Sequence, residues 1–175
     1  HTPEAAAGQA VAATGLHLPG KALLMIDAID AHLPDGGSEG LGYIRGVKQV
    51  NPDEWFFKAH FYQDPVCPGS LGVESFLQLI KTTAMKRWPH LAPSHQFRMV
   101  EGCRHSWSYR GQIIPENRTV VVHARITRIL DGPVPTLRAD GLLGVDGLPI
   151  YKMENFEMAL IPASGEPPSL PGKNT

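Results

Sequence analysis

The chain has 175 residues, enough for one domain at the usual 100–200 or so per domain, and its 16 Lys and Arg against 17 Asp and Glu leave a net charge of −1. With no basic run or basic-aromatic stripe, the electrostatic footprint of a nucleic-acid binder is missing, so nucleic acid is not expected as a partner. No apolar run approaches the roughly 20 residues of a membrane span and no signal-peptide pattern opens the chain, so a soluble, cytoplasmic protein is expected.

Residues 1–17 are rich in Ala, Gly and Thr and read as a linker-like segment, with at most a short helix over Glu4 to Ala13. Ala22 to Ile29 is a short apolar run that suits a buried strand or a helical turn, and His32 to Gly40, with Pro34-Asp35-Gly36-Gly37, is a turn. Leu41 to Val50 reads as a strand. Asn51 to Glu54 then caps a short helix that Trp55, Phe56 and Phe57 should anchor in the core.

The next stretch, H-F-Y-Q-D-P-V-C-P-G-S-L-G-V-E-S-F-L-Q from His60 to Gln78, carries most of the chemistry. Asp64-Pro65 and Cys67-Pro68-Gly69-Ser70 are turn signals that lead into a helix start. From there Val73, Phe76, Leu77, Ile80 and Ala84 recur at the spacing of one buried helical face, so a long central helix follows. The first amides of that helix, from Gly69 and Ser70 to Gly72, have no partner within it and can hold an oxygen gaining negative charge. A base (His60), an acid (Glu74) and an oxyanion site therefore lie close together in the sequence.

After a Pro-rich connection over Trp88 to Ser94, four runs alternate with period two and predict half-buried antiparallel strands. These are Cys103, His105, Trp107 and Tyr109; Val120, Val122, Ala124 and Ile126; Leu137 to Val145; and Phe156, Met158 and Leu160. Asp131-Gly132-Pro133 and Asp146-Gly147 supply turns. Residues 162–175 form a Pro/Gly-rich, linker-like tail. One long helix against a strongly curved antiparallel sheet is an α+β arrangement, expected here as a single unit over residues 18–161. Linker composition on both sides and the lack of an initiator Met suggest a domain cut from a larger chain, a trimmed free-standing enzyme being the alternative.

The pattern H-F-x-x-D-P-V-x-P-G-x-L-G-x-[D/E] resembles that of the bacterial 3-hydroxydecanoyl-acyl-carrier-protein dehydratase/isomerase family. Matches continue through Gly42-Tyr43, Val50 to Phe57, Gly111-Gln112-Ile113-Ile114-Pro115 and Asp146 to Tyr151, so the resemblance spans roughly Leu18 to Ile161. It implies a hotdog fold whose sheet joins a second subunit's sheet edge to edge, as a homodimer or with a second hotdog domain. The implied substrate is a 3-hydroxyacyl thioester on the phosphopantetheine of an acyl carrier protein. By resemblance His60 is the catalytic base and Glu74 its acidic partner, meeting across the dimer interface. The Gly69 amide binds the thioester carbonyl, the Val66 carbonyl orients the histidine ring, and Gln78 is placed to orient the acid. No cofactor and no metal are called for, since three protein groups suffice.

Glu74 is a departure, because the isomerase branch usually carries Asp there; Glu is common in plain dehydratases and in dehydratase domains of polyunsaturated-fatty-acid synthases, which the loop resembles most. Dehydration is therefore expected, and isomerisation is left open. A hotdog thioesterase would use a similar oxyanion site without needing His60, and a degenerate hotdog that only dimerises would not need the His60/Glu74 pair. Elsewhere His105 and His123 read as structural, and Trp107 and Tyr109 as core packing rather than tunnel walls. Arg45, Lys48, Arg104 and Arg110 are candidate contacts for an acidic carrier protein set against ordinary surface charge. Cys67 and Cys103 read as free thiols, since a zinc site with His105 lacks the usual ligand spacing.

Overall fold

The period-two runs become a seven-stranded antiparallel sheet in a computed structural model that describes residues 15–163. In chain order the strands are β1 (Ala28–Leu33), β2 (Tyr43–Gln49), β3 (His95–Met99), β4 (Ser106–Tyr109), β5 (Thr119–Leu130), β6 (Thr136–Val145) and β7 (Leu148–Pro162). They lie side by side as β1-β2-β5-β6-β7-β3, with β4 also paired to β7. Two helices interrupt the strands, α1 (Trp55–Ala59) and α2 (Gly69–Arg87). The linker-like readings for residues 1–17 and 162–175 lie mostly outside the described residues; Leu16 is packed in the core and Pro162 pairs with His95.

The alternation is physical, because successive strand residues point to opposite faces. Val122, Ala124, Ile126, Leu137, Ala139 and Leu143 are all fully buried against α2, while His123, Arg125 and Leu142 face outward. The sheet curls around the helix, helped by register shifts at Ile126/Arg128, Ala139/Gly141 and Leu143/Gly144. Burial on α2 therefore exceeds the one predicted face: Phe76, Leu79 and Ile80 are fully buried, and so is Gln78, whereas Val73 and Leu77 are only half-buried. Close packing needs glycine at Gly141, where a Cβ would meet the Phe76 ring at 2.2 Å. Lys86 and Arg87 favour the helix's negative end, and Trp88, preceding Pro89, stops it.

Three expectations are corrected. Trp55 does not anchor the core: it is 46% exposed and its indole N–H donates to the Ala22 carbonyl at 2.8 Å, while Phe56 and Phe57 are buried. The apolar run at Ala22 to Ile29 splits into a 3-10 turn at Lys21–Leu23 and the start of β1, with Met25 and Ile26 buried between them. The strand expected from Cys103 is confined to Ser106–Tyr109, and β3 adds a strand just after the Pro-rich connection, where no element was read. The Asp146-Gly147 turn is as expected, with positive φ at both residues, 49° and 85°.

Candidate active site

The site is assembled where α1 hands over to α2. His60 is the residue after α1, still helical (φ −76°, ψ −55°), with its amide donating to the Phe56 carbonyl at 3.1 Å. Residues 61–65 run out into solvent, Tyr62 being 91% exposed. The chain then returns as Val66 and Cys67, both buried, and the Cys67 amide donates to the Ile113 carbonyl at 2.9 Å, pinning the loop to the sheet side. This detour brings the Val66 carbonyl to 3.2 Å from His60 Nδ1. A carbonyl only accepts, so Nδ1 carries a proton, and in the neutral imidazole the lone pair lies on Nε2.

Pro68 then begins α2 with its ring-fixed φ of −54°, and no side chain caps the helix. Gly69 and Ser70, the first helical residues, precede any carbonyl their amides could reach within the helix. An aromatic cluster lies over them. A Cβ on Gly69 would come within 3.0 Å of the Trp107 ring and 3.4 Å of the Tyr109 ring. Trp107 and Tyr109, expected as core packing, are instead 41% and 45% exposed on β4 and close over the helix start. Tyr151 of β7 completes the cluster, with ring centroids 5.0 Å from Tyr109 and 5.8 Å from Trp107.

Glu74 lies one turn further along. Its Oε1 accepts from Gln78 Nε2 at 3.1 Å and from the Lys81 ammonium at 3.1 Å. Gln78 is fully buried and itself tied down: Nε2 also donates to the Leu23 carbonyl at 2.8 Å, and Oε1 accepts the Met25 amide at 2.9 Å. One amide thus fixes the segment before β1, the helix and the Glu74 carboxylate together. Lys81 was missed from the sequence; its signal was a spacing of seven residues, two turns along the helix face that carries Glu74. Among the described residues no hydrogen bond or ion pair joins His60 to Glu74 within the protomer.

Residues beyond the loop sort themselves by burial. Lys48 is not a free docking charge: its side chain is 13% exposed and pairs with Glu54 at 3.1 Å and Asp27 at 3.5 Å, bracing the entry to α1. Arg45 is paired with Asp30, while Arg104 and Arg110 are exposed beside β4. His123 shares a 2.5 Å hydrogen bond with the Tyr43 hydroxyl on the outer sheet face, and His105 packs on Phe156 with ring centroids at 4.5 Å. Burial pushes the Cys67 thiol up to about 12, so it stays protonated. Cys103 donates to the Glu157 carboxylate at 3.1 Å, which also raises its pKa. A small apolar cavity of about 30 Å³ lies under the helix start, walled by Phe56, Phe57, Cys67, Leu71, Gly72 and Leu143.

Comparison with known proteins agrees with this arrangement. Residues 18–154 match the family model of the FabA-like domain. One of the polyunsaturated fatty acid synthase subunits of a Thraustochytrium species is 42% identical over 149 residues, covering 81% of this chain and 10% of the relative. The chain thus spans about a tenth of that relative's length. Among solved structures, the dehydratase heterocomplex ApeI:P of Xenorhabdus doucetiae superposes with a TM-score of 0.56 at 11% identity, covering 81% of this chain and 85% of its own. A variant thioesterase of Pseudomonas aeruginosa does so with 0.50 at 16% identity, covering 80% and 84%. At these identities the likeness establishes the hotdog fold. No helix among the described residues is long and apolar enough to cross a membrane.

Proposed function

The chain belongs to the FabA-like hotdog domain family, and on that premise we propose that it removes water from 3-hydroxyacyl thioesters to give 2-enoyl thioesters. The observation that carries the reading is the His60 ring held by the Val66 carbonyl on the same loop that delivers an uncapped helix start. His60 Nε2, free of the proton that Nδ1 carries, takes the C2 proton. The amides of Gly69 and Ser70 hold the thioester oxygen as it gains charge, a contribution of about 10²–10³ in rate for one such donor.

As the C3–O bond breaks, the leaving hydroxide takes a proton from the Glu74 carboxyl and departs as water. Glu74 is left as the carboxylate that Gln78 and Lys81 hold at Oε1. His60 then loses its proton to water and Glu74 regains one. In this reading Gln78 orients the acid, and His60 of one subunit meets Glu74 of another, which fits the lack of a bond between them within the protomer. The acyl group arrives on the phosphopantetheine of an acyl carrier protein, for which the exposed Arg104 and Arg110 beside β4 are the candidate contacts. No group beyond the protein's own is needed for these steps.

The test is mass-spectrometric turnover of 3-hydroxyacyl thioesters, run also in reverse from the trans-2-enoyl thioester. A mass change of one water that disappears in His60→Ala is the expected result, and a 3-enoyl product would add isomerisation. Release of free acid alone would make the protein a thioesterase, and no reaction even on a carrier protein would leave a structural hotdog.

A further inference from the structure

Tyr151 is the one buried side chain among the described residues whose polar atom lacks a hydrogen-bond partner. It is 2% exposed. Burial, with Tyr109 and Cys67 nearby, pushes the pKa of its phenol upward, so the hydroxyl is a neutral donor.

The position of the ring is as informative as its burial. A Cβ on Gly72 would lie 2.1 Å from Tyr151 Cε2 and 2.9 Å from Cζ, the carbon that bears the hydroxyl. The O–H therefore sits against the first turn of α2, three residues beyond the Gly69 amide and two before Glu74. Trp107 and Tyr109, whose rings touch that of Tyr151, cover Gly69 itself. A buried donor without a protein partner is unfavourable, so its partner comes from outside the chain, as a water or a bound ligand.

We propose that the Tyr151 hydroxyl is a substrate-binding donor that hydrogen-bonds an oxygen of the 3-hydroxyacyl thioester at the first turn of α2. The inference rests on the dehydratase reading above and adds a fourth protein group to the site. Two substrate oxygens are chemically suitable, the thioester carbonyl and the 3-hydroxyl.

Tyr151→Phe keeps the ring that packs on Gly72 and removes only the oxygen. The expected result is an unliganded protein whose Tm is unchanged or higher by about 2–4 °C, relieved of an unpaired donor. The same variant should lose about 10- to 100-fold in kcat/KM and most of the thermal shift that a 3-hydroxyacyl-pantetheine thioester produces in the wild type. Repeating the shift in a His60→Ala background, where the two thioesters do not interconvert, with the 2-enoyl thioester, which has no 3-hydroxyl, locates the contact: equal loss for both places it at the carbonyl, and loss for the hydroxy form alone places it at C3. Tyr151→Phe that matches the wild type in turnover and thermal shift would overturn the proposal and leave the hydroxyl to packing or to a buried water. A wild type that neither binds nor converts either thioester would sink the dehydratase reading itself, and this inference with it.

Discussion

Glu74 accepts two hydrogen bonds on one oxygen and keeps the other free, which separates the group's anchoring from its chemistry. Replacing it with Gln preserves length and shape but removes the acidic proton. General acid–base assistance is worth about 10²–10⁴ in rate, whereas a partly exposed ion pair such as Glu74–Lys81, with side chains 24% and 18% exposed, contributes about 0–1 kcal/mol to stability. Glu74→Gln should therefore cut single-turnover dehydration by at least about 100-fold while circular dichroism and the unfolding midpoint barely move. Undiminished turnover would mean that another acid serves. The His60–Val66 contact and the Gln78–Glu74 contact both join residues that the motif had already singled out. Lys81 was hidden, because a lysine on a helix face normally reads as solvated.

At the scale of elements, the seating of α2 on the sheet depends on Gly72. Alanine would favour the helix by about 0.8–1 kcal/mol through intrinsic propensity. Its methyl, however, would lie 2.1 Å from a Tyr151 ring that is fully hemmed in, and overpacking of this kind costs about 1–3 kcal/mol. The clash should win: Gly72→Ala should lower the midpoint of chemical denaturation without changing its slope, and should impair turnover by shifting the helix start from Trp107 and Tyr109. A stabilised variant would show that the ring yields freely.

The helix was legible from its long run of apolar residues at helical spacing after a Pro-Gly start, and the longer strands because their burial alternates strictly, as in Val120 to Ile126. β3 was not: of its partly buried positions His95, Phe97 and Met99 only two are apolar, too few for a period to register, and it is a strand only because the long β7 extends past β4 to pair with it. Lys48 misleads for a related reason. It occupies an inward position near the end of β2, where Glu54 and Asp27 neutralise it, and no local pattern distinguishes that from a surface lysine. Trp107 and Tyr109 follow the predicted inward alternation, yet remain exposed because their strand lies at an edge of the sheet.

The two edges of the whole sheet differ in kind. β1 is blunted by a register shift between Ile29 and Ala31 and by the exposed Asp30–Arg45 ion pair, devices that discourage strand addition. β4 has neither. The Arg110 amide donates to the Ile150 carbonyl, so by alternation the even residues of β4 point their backbone groups at β7 and Trp107 and Tyr109 present theirs to the open side. Beside this open strand lies the helix start. The apolar cavity under the helix start, at about 30 Å³, has room for about one water and none for an acyl chain. A second hotdog subunit paired along β4 would supply both a wall and the opposing acid. The protein should therefore sediment as a dimer at micromolar concentration, and Tyr109→Pro, which deletes an outward N–H and is tolerated on an edge strand, should shift it to monomer and abolish turnover together. A monomeric wild type that still dehydrates its substrate would show that one protomer brings His60 and Glu74 together unaided.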